Sequence, residues 1–262
     1  MDPGARFAVL VQQAEDDIPL AEAALLVAAH AHPSVDVAAQ LGRLDALAAS
    51  CPGSTLDALL DHLFVREGFT GNRDDYYDPA NSYLDSVLER RLGIPLTLSI
   101  VAMEVGRRVG VPLVGIGMPG HFLVRPAGDA GVLIDAFEGG ARLDRDDCER
   151  RHREVHGPGI PFDDTLLQPV GTRAVLARLL ANLKSIHVAR NDRGALRWIL
   201  RLRVALPGIG LGERRELASV LAADGRFVEA AAVLDRVAEL AGTSVEADDA
   251  TRAALLLRAR MN

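Results

Sequence analysis

The chain has 262 residues, 49% hydrophobic, 25% charged and 4% aromatic, and these ordinary globular fractions exclude a disordered or fibrous chain. Its 29 Lys and Arg stand against 36 Asp and Glu, a net charge of −7 with no basic tail, which argues against binding nucleic acid through phosphate neutralisation. Lys184 is the only lysine, which reads as a compositional bias toward arginine before it reads as function. Two cysteines, Cys51 and Cys148, stand 97 residues apart and exclude a disulfide framework or a Cys-rich zinc site. Acidic residues follow the first turn almost at once, so no secretory leader is expected. No stretch approaches the roughly 20 apolar residues that span a bilayer, and a cytoplasmic protein with no membrane partner is expected.

Residues 5–50 read as helices. Ala21 to Ala31 is rich in Ala and Leu and stops before Pro33. Val35 to Ala49 places Val37, Leu41, Leu44, Leu47 and Ala48 at helical spacings, and Cys51-Pro52-Gly53 breaks the pattern. Leu56 to Val65 predicts a third helix. The segment 68–84 is a loop rich in turn formers and carries Tyr76, Tyr77 and Tyr83, all the tyrosines of the chain. Such a concentration suggests a loop packed over a site. Asn81 or Ser82 is expected to cap a helix over Tyr83 to Arg91, ended by Gly93. Pro95 opens the next helix, where its missing N–H costs nothing, and Gly110 closes it.

Three β-like runs follow, at Leu113 to Met118, His121 to Val124 and Val132 to Phe137. Residues 144–157 predict a charged helix capped by Asp144, and 157–164 reads as a linker. Beyond it the sequence repeats with a shift of 34: Leu183 falls on Leu217, Ile186 on Val220, Leu206 on Leu240 and Gly208 on Gly242. A helix-turn-helix unit of that period is the tetratricopeptide signature, here in two copies with a partial consensus match. Three segments are expected: a helical start at 1–66, a core at 67–165 and helical repeats at 172–262.

His121 and Asp135 lie 14 residues apart on consecutive predicted strands, each flanked by apolar residues. A carboxylate can fix an imidazole's tautomer and stabilise its charged form, and neighbouring antiparallel strands can deliver that pair. The spacing alone serves a structural histidine as well as a functional one. Other candidates are weaker. His152 and His156 are spaced i,i+4 but lack the H-E-x-x-H pattern, so a solvated charged helix is the better reading. His30 and His32 end a helix, where histidines often cap carbonyls. The pieces Gly115-Ile116-Gly117 and Gly208-Ile209-Gly210 lack any phosphate-loop context.

The segments ALLVAAHAHPSVDV, GNRDDYYDPANSYL, GIPLTLS, PGHFLVR and the ID.F.GG run make the chain resemble the transglutaminase-like superfamily. Within it the chain resembles the bacterial family named for regulation of sirC expression, which joins a transglutaminase-like domain to tetratricopeptide repeats. The resemblance covers nearly the whole chain. It implies an α+β fold: a papain-like transglutaminase core with a small antiparallel sheet, a helical N-terminal segment and C-terminal tetratricopeptide-like hairpins.

The resemblance also implies a triad in which a helix-start Cys is activated by a His–Asp pair, because a helix N-terminus raises a thiol's thiolate fraction. His121 and Asp135 match two of its members. The helix-closing turn is Gly110-Val111-Pro112, and 15 residues back, where the nucleophile would stand, the chain has Pro95. Losing a triad nucleophile costs on the order of 10⁶ in rate. Cys51 and Cys148 offer no obvious substitute. Ser99 lies a turn beyond Pro95, where a helix hydroxyl ordinarily bonds a backbone carbonyl. The chain departs from the family pattern again at Ala136 and Glu138, which puts the local loop shape in doubt but leaves Asp135 in place.

The expected function is therefore a non-catalytic regulatory or scaffolding module for a peptide or protein partner. His121 and Asp135 would be vestigial, and Tyr76, Tyr77, Asn81, Thr97 and Ser99 would contribute to the binding surface. No cofactor or metal is expected. The alternative is an amide-bond hydrolase or acyl transferase that uses His121 and Asp135 without a thiol, with Thr97, Ser99 or a water in its place.

Overall fold

Helix α2 (Leu20–Ala31) buries nine of its residues, so the Ala/Leu run is a core helix rather than an amphipathic surface one. In the computed structural model, which describes residues 2–157 and 159–260, contacts divide the chain into two units. One comprises residues 13–179; the other joins 1–12 to 180–262. The predicted helical start at 1–66 is thus divided: α1 (Pro3–Leu10) belongs with the C-terminal helices, and the rest packs with the sheet.

In the 13–179 unit, α3 (Val37–Ala49) starts at an Asp36 cap rather than at Val35. Helix α4 (Leu56–Leu60) runs on as a π-helical turn, Asp61–Arg66, which buries His62 and brings its Nε2 to 2.8 Å from the Leu47 carbonyl. Two short parallel strands follow, β1 (Thr70–Gly71) and β2 (Leu92–Gly93). Between them lies α5 (Leu84–Arg90). Tyr83 stands at its cap position, and neither Asn81 nor Ser82 caps it. Arg91, at φ 62°, ends it in a left-handed conformation. Gly93 does not end α5; it lies in β2, where an added Cβ would come within 2.8 Å of Thr97 Oγ1.

Helix α6 (Pro95–Val109) begins with proline and closes on Gly110 at φ 81°, as the sequence predicts. It is buried along most of its length and packs against β3 (Leu113–Ile116) and β4 (Leu123–Pro126). The antiparallel sheet also contains β5 (Leu133–Asp135), β6 (Ala141–Leu143) and β7 (Pro169–Val170), in the order β6-β5-β4-β3-β7. The two outer strands are too short to leave an alternating pattern in the sequence. Helix α7 (Arg145–His156) starts at the Asp144 cap. It is not wholly solvated: Cys148 and His152 are buried, and the His152 ring meets His156 and Phe162. Phe162 packs on the cluster of Ile116, Met118, Leu123, Leu133, Leu143 and Cys148, so 157–164 is anchored rather than a free linker; Pro158 lies outside the described residues.

Helix α8 (Thr172–Ala189) begins in this unit and ends in the other, which contains α9 (Arg193–Ala205), α10 (Leu211–Ala223), α11 (Phe227–Ala241) and α12 (Val245–Ala259). The breaks fall at 190–192 and 224–226, which keeps the period read from the sequence. Leu200, Leu217, Leu221 and Ala230 form one core cluster, and Ala218, Ala231, Leu234 and Ala254 another. No helix among the described residues is long and apolar enough to cross a membrane.

Candidate functional site

His121 is placed by a turn, not a strand. Pro119 and Gly120, the latter at φ 75°, fold back so that the His121 N–H donates to the Met118 carbonyl, and β4 starts two residues later. Asp135 is the last residue of β5, which pairs with β4 through Val124 and Ile134. The sheet thereby brings the two together, with His121 Nε2 2.8 Å from Asp135 Oδ2. The imidazole is 16% exposed, and its Nδ1 has no hydrogen-bond partner among the described residues.

Asp135 is fully buried and makes four polar contacts among the described residues. Oδ1 accepts the N–H groups of Phe137 and Glu138; Oδ2 takes His121 and also an ion pair from Arg151 on α7. Burial pushes the carboxyl up, but the His121 hydrogen bond and charge, Arg151 and the Glu138 N–H together hold it below the usual carboxylate value. Arg178, on α8 within the same unit, donates to the carbonyls of Met118 (3.0 Å) and His121 (2.7 Å) and so clamps the turn. The sequence marks neither arginine: Arg151 stands in a run of charges and Arg178 in a helical segment.

The loop residues separate into two groups. Tyr76 and Tyr77 are exposed, and their rings meet edge to face, Tyr76 in turn contacting Phe137. Asn81 is fully buried, which corrects its expected place on a binding wall. Its amide donates to the Asp75 and Tyr76 carbonyls and its Oδ1 accepts from Asn72 and Arg90, so it holds the tyrosine loop from beneath. Thr97 and Ser99 are also fully buried and offer no atom to a docked partner. Thr97 Oγ1 donates to the Asn81 carbonyl at 2.6 Å, tying α6 to the same loop. Ser99 Oγ has no hydrogen-bond partner among the described residues, contrary to the expected carbonyl bond.

Pro95 is buried at the first position of α6 and supplies no nucleophile. Cys148 is sealed in the apolar cluster under the sheet, and burial pushes its thiol up to about 11. At neutral pH it is a thiol, not a thiolate. Cys51 donates to the Gly53 carbonyl beside a separate cavity of about 450 Å³ lined by Asp45 and Arg108. The site therefore presents an oriented imidazole and an aromatic loop, but no thiol.

The profile of the transglutaminase-like superfamily matches residues 25–181. A UPF0162 protein of Xylella fastidiosa is 39% identical over 196 residues, 69% of this chain and 70% of the relative. A UPF0162 protein of Pseudomonas aeruginosa is 35% identical over 202 residues, 73% of each chain. F-box only protein 21 of Mus musculus is 36% identical over 140 residues, 50% of this chain but only 21% of that larger protein. No solved structure matches the chain.

Proposed function

The chain belongs to the transglutaminase-like superfamily, and from that premise we propose that it is a non-catalytic member, a regulatory or scaffolding module that binds a peptide or protein partner. The observation that carries this is the absence of a usable nucleophile: Pro95 stands at the α6 start, Thr97 and Ser99 are buried, and Cys148 is buried and protonated. The charge around His121 supports it. Asp135 already balances Arg151, so it has less negative charge to offer an imidazolium than a lone carboxylate would. The 34-residue period supports tetratricopeptide-like hairpins, whose concave faces suit extended peptides. In F-box only protein 21 the matching stretch is a small part of a larger chain, which suits a module. The two unpaired thiols suit a reducing compartment, the cytoplasm. The test is a peptide array and pull-down with the purified chain, beside an assay of amide turnover. Partner capture without turnover is the expected result; turnover with no partner overturns the proposal.

One observation favours the second reading, an amide-bond hydrolase or acyl transferase: Asp135 holds Nε2 of His121 and leaves Nδ1 without a partner among the described residues, as a general base acting on water requires. On that reading His121→Ala abolishes amide turnover, and unchanged turnover ends it.

A further inference from the structure

Of the part-buried guanidiniums of the 13–179 unit, Arg90, Arg91, Arg108, Arg151 and Arg173 each meet a carboxylate. Arg125 and Arg178 meet none among the described residues, and of these two it is Arg178 that bonds the Met118–His121 turn. Among the described residues its hydrogen bonds go to two main-chain carbonyls, Met118 and His121, and its Cζ lies 5.4 Å from the centre of the Phe122 ring. Carbonyls fix the fork's position but do not neutralise it, and a guanidinium has five N–H donors, so further donors remain. The titratable group that acts on it is the phenol of Tyr76; burial, opposed by Tyr76, pushes Arg178 below its usual value. Holding a cation in a half-buried place without a counter-charge is costly unless an anion completes it. The turn that Arg178 holds carries His121, whose Nδ1 is unbonded among the described residues and whose Nε2 meets Asp135, and Tyr76 lies on Phe137, two residues beyond Asp135.

We propose that Arg178, Tyr76 and the Met118–His121 turn form a carboxylate-binding site, which receives a carboxylate of the peptide partner. Arg178 supplies a charged two-pronged contact, for which arginine geometry is suited. Tyr76 adds an O–H donor and an aromatic wall. This rests on the site binding rather than turning over its ligand.

Three probes test it: N-acetylphenylalanine, its amide, and N-acetylglutamic acid α-amide, titrated into the full chain with the Arg178 Nε and His121 imidazole NMR signals as readout. Saturable shifts from a carboxylate probe and none from N-acetylphenylalanine amide are expected. A stronger response to the first or the third probe assigns the carboxylate to a chain end or to an acidic side chain. Arg178→Lys keeps the charge but not the fork and should weaken binding several-fold. Tyr76→Phe, at an exposed ring that leaves the turn's clamps in place, should also weaken it. Equal response to acid and amide, or wild-type affinity in both variants while the His121 signal shows a folded site, overturns the carboxylate site. Hydrolysis of the amide probe would instead overturn the non-catalytic reading, so the two failures are distinct.

Discussion

Asp135 shows how much a single side chain can be asked to hold. Its two oxygens take two main-chain N–H groups, an imidazole and a guanidinium, although the side chain itself has no exposure. In Asp135→Asn one edge becomes a donor facing donors, and Arg151 loses its counter-charge. Removing one partner of such a buried pair costs about 3 kcal/mol, which urea denaturation at pH 7 should show. The pH dependence has a defined sign. The folded carboxyl lies below its unfolded value of about 3.9, so its contribution is complete above that pH and is lost as pH falls through the folded value. The gap between wild type and Asp135→Asn should therefore close below roughly pH 4. A gap that stays constant down to strongly acidic pH would show that the charge on Asp135 is not what stabilises the site.

At the scale of the element, α6 organises the 13–179 unit because it is buried along most of its length and lies beside β3 and β4. Its ends follow local rules, proline at the first position and a left-handed glycine at the last. Its packing does not. Gly106 sits against the turn that leaves the helix, where an added Cβ would stand 2.5 Å from the Val111 carbonyl oxygen and 3.1 Å from Leu59. Helix propensity alone favours Gly106→Ala by about 1 kcal/mol. The clash is with backbone, which cannot swing aside, and overpacking costs about 1–3 kcal/mol. A net loss, seen as a lower urea midpoint with unchanged slope, is expected; a gain would mean the turn at Val111 yields freely.

At the scale of the molecule, the helical hairpins and the sheet unit each have a core. Leu200 is fully buried among Leu217, Leu221 and Ala230, and Leu200→Ala should cost the hairpin unit about 3 kcal/mol through lost transfer energy and a cavity. The His121 imidazole signals should remain those of the wild type under native conditions. A changed His121 environment would mean that the hairpin core and the site are coupled.

The helices were legible because their signals are local: Ala/Leu runs, the Pro95 start, the Gly110 stop, the Asp144 cap and the repeat period all act within a few turns of chain. The pairing of His121 with Asp135 was legible as a spacing, since a hairpin of neighbouring strands carries two such residues to one place. Arg178 was not legible, because it reaches that place from a helix far along the chain, and Arg151 was not, because charge runs look alike whichever member turns inward. Asn81, Thr97 and Ser99 show the same limit in reverse. Their polarity suggested a surface, while the tertiary structure buried all three, two of them as ties between the tyrosine loop and α6. What the sequence alone determined, then, was the longer helices and the proline at the head of α6, since these depend on backbone rules and residue identity. The tertiary structure decided which charges meet, because burial sets whether a carboxylate has one cationic partner or two and whether a guanidinium has any.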